Sequence, residues 1–132
     1  MTKNEKDLLL KDLCARVPYG VWIEAKLKDC PFSAKCMLNP RNAGDITLIE
    51  IGQYDFYKPY LFPLSSMTEE QEEELDKYLD MDSKSLIDGY KNGLKCAHPY
   101  FNVQDWYNKN HFDYRGLIPM GLAKDATGKN IY

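Results

Sequence analysis

The chain has 132 residues, 17 Lys+Arg against 20 Asp+Glu, a formal net charge of -3 and 44% hydrophobic residues. That length fits a single domain over residues 1–132, able to bury a core without disulfide or metal support, and the composition is globular, not disordered. Its first apolar run, Leu8-Leu9-Leu10, stops at Lys11 and Asp12; a membrane span needs about 20 apolar residues and a secretory core about 7–15, so no membrane partner and a cytoplasmic location are expected.

Residues 2–16 read as a helix. Thr2 and Glu5 have capping-box spacing, and Leu9, Leu10, Leu13, Cys14 and Val17 mark one apolar face. Pro18-Tyr19-Gly20 ends it. Strands are predicted over residues 21–27 and 32–38. In the first, Ile23, Ala25 and Leu27 share one face and Trp22, Glu24 and Lys26 the other. Residues 46–51 (ITLIEI) are the clearest strand by composition, because β-branched residues suit a pleated surface. Residues 52–57 read as a loop or short strand, and Tyr60-Leu61-Phe62, between Pro59 and Pro63, as a short edge strand. Three or four short strands predict a small antiparallel sheet, with an SH3-like barrel as its candidate closure.

A second helix is predicted over residues 67–81. Thr68 and Gln71 have capping-box spacing, and the glutamates after Thr68 suit the positive end of the helix dipole. Residues 67–82 hold eight acidic groups and one basic. The negative excess of the chain therefore sits on one segment, read as the solvated face of a capped helix. A weaker helix is predicted over 83–97, where Gly89 and Gly93 cost about 1 kcal/mol each against alanine. Asn102 is placed to cap a short helix over 103–110, and the Gly-containing tail is expected to fray at its end. The fold class is α+β: an N-terminal helix, a small antiparallel sheet, then two or three packed helices.

The chemically able residues concentrate at 96–115. Cys96, His98, His111 and Asp113 have zinc-compatible types, but their spacing matches no established zinc module, and the simpler reading of His111 is an imidazolium ending a helix. Cys96 with His111 and Asp113 has the residue types of a thiol triad without a surrounding nucleophile-elbow pattern. No phosphate-cradling loop and no G-x-G-x-x-G is present, which weighs against nucleotide hydrolysis; no cofactor is expected. Cys14, Cys30, Cys36 and Cys96 form no C-x-x-C and are read as reduced thiols.

Aromatics and cations interleave at Trp106, Tyr107, Lys109, His111, Phe112, Tyr114 and Arg115. Stacking plus charge is how single strands are held, and Trp22, Tyr54, Phe56, Tyr57 and Tyr60 would add an aromatic sheet face. The negative net charge weighs against nucleic acid. Ten tyrosines supply interface anchors, although the aromatic run 54–62 first reads as inward packing. The surface singled out is Trp106, Tyr107, Lys109, His111, Asp113, Tyr114 and Arg115, with Arg115 alternatively pairing with Asp113 or Asp105 inside the fold.

Three blocks, residues 8–21 (LLLKDLCARVPYGV), 58–68 (KPYLFPLSSMT) and 105–118 (DWYNKNHFDYRGLI), resemble a family of short uncharacterised proteins from gut Bacteroidales genomes and their phages. The resemblance spans nearly the whole chain. It implies a one-domain family with residues 22–57 as the variable part, and a bacterial or phage cytoplasmic origin. It implies no mechanism and carries over no catalytic residue. The expected function is a non-enzymatic interaction module that binds a protein partner or self-associates. A nucleic-acid-associated accessory protein is the alternative, and a small thiol- or metal-dependent hydrolase the third class.

Overall fold

A computed structural model describes residues 1–76 and 103–132. Helix α1 (Lys3–Arg16) starts where predicted: the Thr2 hydroxyl accepts from the Glu5 amide at 3.1 Å. Leu9 and Leu13 carry its apolar face, while Cys14 is exposed. A 3-10 turn, Val17–Tyr19, leads to Gly20 at φ 76°, where a Cβ would lie 3.0 Å from Met37 Sδ. The left-handed backbone and the close approach both require glycine there.

The two predicted strands, β1 (Val21–Leu27) and β2 (Ala34–Leu38), form a hairpin, antiparallel with Val21 opposite Leu38 and Ala25 opposite Ala34. The strand expected at 46–51 is instead helix α2 (Asp45–Glu50). Local geometry decides this. The Asn42 side chain holds the Asn39 amide and the Met37 carbonyl, and the amides of 45, 46 and 47 bond the carbonyls of 42, 43 and 44. The chain is already coiled when the β-branched run begins. Only Ile49 of α2 is buried, against α1, and the Lys6 ammonium bonds the Glu50 carbonyl at the helix end.

Residues 52–62, expected as a loop and an edge strand, are largely one ten-residue strand, β3 (Tyr54–Pro63), in the middle of the sheet. Pro59 does not end it. Its partner is Ile23, the last pair with β1. Beyond it β3 passes to β5 (Lys124–Asp125) at Tyr60 and Leu61, and to β4 (Phe112–Asp113) at Phe62 and Pro63. A residue without an N–H fits where one ladder gives way to another. These last two pairings are parallel, so the sheet is mixed, not antiparallel. Its order is β2-β1-β3-β4 with β5 also on β3, and no pairing among the described residues closes it into a barrel.

Helix α3 begins at residue 69, and Thr68 and Gln71 form the full capping box: the Gln71 amide donates to Thr68 Oγ1 at 3.2 Å and the Thr68 amide to Gln71 Oε1 at 2.9 Å. The helix predicted over 83–97 and the Asn102 cap lie outside the described residues. Helix α4 (Val103–Lys109) follows. One hydrophobic cluster joins Leu9 and Leu13 of α1, Val21 and Ile23 of β1, Leu38, Ile49, Tyr57, Leu61, Leu117 and Leu122. The class is α+β.

Candidate functional site

Most residues singled out at 106–115 pack into a joint between α1, α4 and β3. Trp106 is 2% exposed and stacks on Phe112 with centroids 5.6 Å apart. Both Asp113 oxygens accept from the backbone, at the Leu117 and Ile118 amides, each 2.8 Å away. Trp106 and Asp113 are therefore held inside the fold. Tyr114 stacks on Tyr107, and the guanidiniums of Arg115 and Arg16 lie 4.8 and 5.4 Å from its ring. Arg115 does pair internally, but with Asp12 of α1 at 3.2 Å, not with Asp113 or Asp105. Lys109 alone of this set is exposed. An exposed face carrying both Lys109 and Arg115 is thus not formed.

His111 adopts φ 63° and stacks on Tyr132 at 3.6 Å. Burial, with the nearby Arg16 charge, pushes its pKa down to about 4, so at neutral pH it is an uncharged ring and not a helix-ending cation. Tyr132 is docked and not frayed. Its hydroxyl accepts from the Trp22 amide at 2.8 Å and donates to the Tyr60 carbonyl at 2.9 Å, bridging β1 and β3 just past their last regular pair. Burial raises the pKa of this hydroxyl, which keeps its proton for the donated bond.

Cys96 and His98 lie outside the described residues. Among the described residues no three His, Cys, Asp or Glu side chains gather as metal ligands, and Cys14, Cys30 and Cys36 are free thiols. Burial, and the charge of Asp45, push the Cys36 thiol above its ordinary pKa, away from the thiolate a nucleophile needs.

The other concentration of charged and aromatic side chains is on the sheet. Val21, Ile23, Ala25, Tyr57 and Leu61 face the core. Residues of opposite parity share the second face: the register sets Trp22 against Met37, Glu24 against Lys35 and Lys58, and Lys26 against Phe56. Tyr60 belongs to it through its pairing position beside Lys124. The five aromatics expected as one face are thus split. Tyr54 and Tyr57 meet edge to face at 5.0 Å against the core, and Trp22, Phe56 and Tyr60 lie on the second face.

Lysines cover these rings. The Lys35 ammonium is 5.4 Å from the Tyr60 centroid, Lys129 5.6 Å and Lys124 6.0 Å, while Lys58 and Lys124 are 5.6 and 5.9 Å from Phe56. Cation–π contacts contribute about 0.5–1 kcal/mol each at exposed sites and about 2 kcal/mol when desolvated, weak enough for the ammonium groups to exchange partners. Lys124 pairs with Glu24, and Lys26 with Asp55. The Lys124 hydrogen bond, against the opposing effect of burial, holds the Glu24 carboxyl below its usual range. Lys35, Lys58 and Lys129 have no carboxylate at ion-pair distance among the described residues. Lys35 and Lys129 are exposed, and Trp22, Phe56 and Lys58 half-buried.

Alternation in β1 already placed Trp22, Glu24 and Lys26 together. Phe56, Lys58 and Tyr60 repeat the same alternation, a signal hidden by reading β3 as a loop broken at Pro59. In comparisons with known proteins the chain matches no family model, no curated protein and no solved structure.

Proposed function

We propose that the protein is a non-enzymatic interaction module that docks an anionic partner on the second face of its sheet. The reading is carried by one observation: Lys35, Lys58 and Lys129 project around Tyr60 and Phe56 with no carboxylate paired to them among the described residues. Clustered cations on a sheet surface raise the local concentration of an anion and speed its capture. The net charge of -3 does not oppose this, because residues 67–82 hold eight of the twenty acidic residues. The resemblance at residues 8–21, 58–68 and 105–118 favours a bacterial or phage cytoplasmic setting.

Retention on immobilised heparin tests the reading. The parent protein is expected to bind at low salt and to elute as salt rises. The double variant Lys35→Glu/Lys129→Glu, altered only at exposed positions, is expected to flow through with an unchanged circular dichroism spectrum. Flow-through of the parent at low salt, or co-elution of the two proteins, overturns the proposal.

A further inference from the structure

We infer that the anionic partner of this face is a single-stranded nucleic acid, with bases stacked on Trp22 and Phe56 and phosphates held by Lys35, Lys58 and Lys129. The inference rests on the docking face proposed above and names its occupant. A purely charged partner, such as an acidic peptide or a polyphosphate, would use the lysines and leave the rings idle. Here the cations and rings are interleaved: Lys58 stands over Phe56 on the same strand, and Lys35 reaches Tyr60 from β2 across β1. Trp22 is half-buried between Met37 and the Tyr60 strand, and no ring or cation among the described residues stacks on it. Tyr60, 3% exposed, is the floor beneath the lysines and not a stacking platform.

Every base has a π-face, so rings spaced among lysines grip a single strand with little sequence preference. A duplex offers the same phosphates but keeps its bases stacked on one another, with none to place on Trp22. Lys58, now resting on Phe56, can move to a phosphate as a base takes that ring, so one rearrangement makes both contacts.

Fluorescence polarisation with the full chain tests this, using a labelled oligo-dT strand, an abasic strand of equal length, a duplex and inorganic polyphosphate. Oligo-dT is expected to bind at least tenfold tighter than the abasic strand and the duplex, with affinity falling as salt rises by a log–log slope of about -0.7 per phosphate engaged. Trp22→Leu is expected to weaken oligo-dT binding by about 5- to 150-fold and to leave polyphosphate binding unchanged. Trp22 emission should also be quenched by oligo-dT and not by polyphosphate, a readout that needs no substitution; a Trp106→Phe background isolates it. Equal affinity for oligo-dT, abasic strand and polyphosphate overturns the nucleic-acid inference and leaves the anionic docking face standing. Preference for the duplex overturns the single-strand assignment. Absence of binding to every probe overturns both.

Discussion

Asp12 and Arg16 are fully buried and paired, Nε to Oδ2 at 2.7 Å and Nη2 to Oδ1 at 3.1 Å, and Arg16 also donates to the Phe112 carbonyl at 2.7 Å. Buried ions are costly unless paired and hydrogen-bonded, and these tie α1 to β4 across 96 residues of sequence. Beside them His111 is neutral in the folded protein, with a pKa of about 4 against an ordinary 6.5. Between those two values the unfolded chain binds a proton that the folded chain does not. Stability from this group is therefore complete above about pH 6.5 and is lost as the pH falls toward 4. The urea midpoint of the parent is expected to fall between pH 7 and pH 4.5. In His111→Asn, which keeps a side chain tolerant of φ 63°, that part of the profile should flatten. Glu24 and Asp125, whose carboxyls are held low by the Lys124 hydrogen bond and by the Thr127 hydrogen bonds respectively, act at lower pH. Coincident profiles for parent and variant would show that another group titrates.

At the scale of elements, local signals were legible and long-range ones were not. The Thr2 and Thr68 caps, the stop at Pro18 and the hairpin β1–β2 follow from residues within a few positions of each other. Helix α2 and strand β3 do not. Composition favoured a strand at 46–51, yet the Asn42 turn and the docking of Ile49 on α1 outweigh a β-propensity that spans only about 1 kcal/mol. The two structures differ in a measurable way. In a strand Ile49 and Ile51 would share a face; here Ile49, within the helix, is 4% exposed and Ile51, its C-cap, 62%. Ile49→Ala is expected to cost about 2–5 kcal/mol in chemical denaturation, and Ile51→Ser to change stability by no more than about 0.5 kcal/mol. Comparable losses at both positions would contradict the helix. For β3, Pro59 reads locally as a break, and only the handover from β1 to β4 and β5 makes a proline harmless there.

At the scale of the molecule, one core among the described residues connects α1, the sheet and the loop after β4, from Leu9 to Ala123. The two tryptophans sample opposite sides of it: Trp106 inside the ring cluster with Phe112, Trp22 on the lysine-covered face. Unfolding as one cooperative unit predicts that Trp22→Phe and Trp106→Phe, each with a single remaining reporter, show the same urea midpoint by tryptophan emission as by far-ultraviolet circular dichroism. A separation of the two midpoints in either variant would divide the molecule into independently melting parts.

The sequence by itself determined the α+β class, the starts of α1 and α3, the β1–β2 pair of strands and the segregation of acid to residues 67–82, because caps, turns and charge runs are local. It also singled out aromatics interleaved with cations at 106–115 and an aromatic sheet face at Trp22, Tyr54, Phe56, Tyr57 and Tyr60. Tertiary structure alone decided which of these side chains are buried and which reach the surface. At 106–115 the rings and charges find partners on α1 and β3, with Arg115 on Asp12 and Trp106 on Phe112. On the sheet, cross-strand register sets Lys35, Lys58 and Phe56 around Glu24 and Lys26, from strands that in sequence are separated by a hairpin, a helix and a misleading proline. Which side of a strand a residue faces depends on pairing register, and a register is a property of two strands at once.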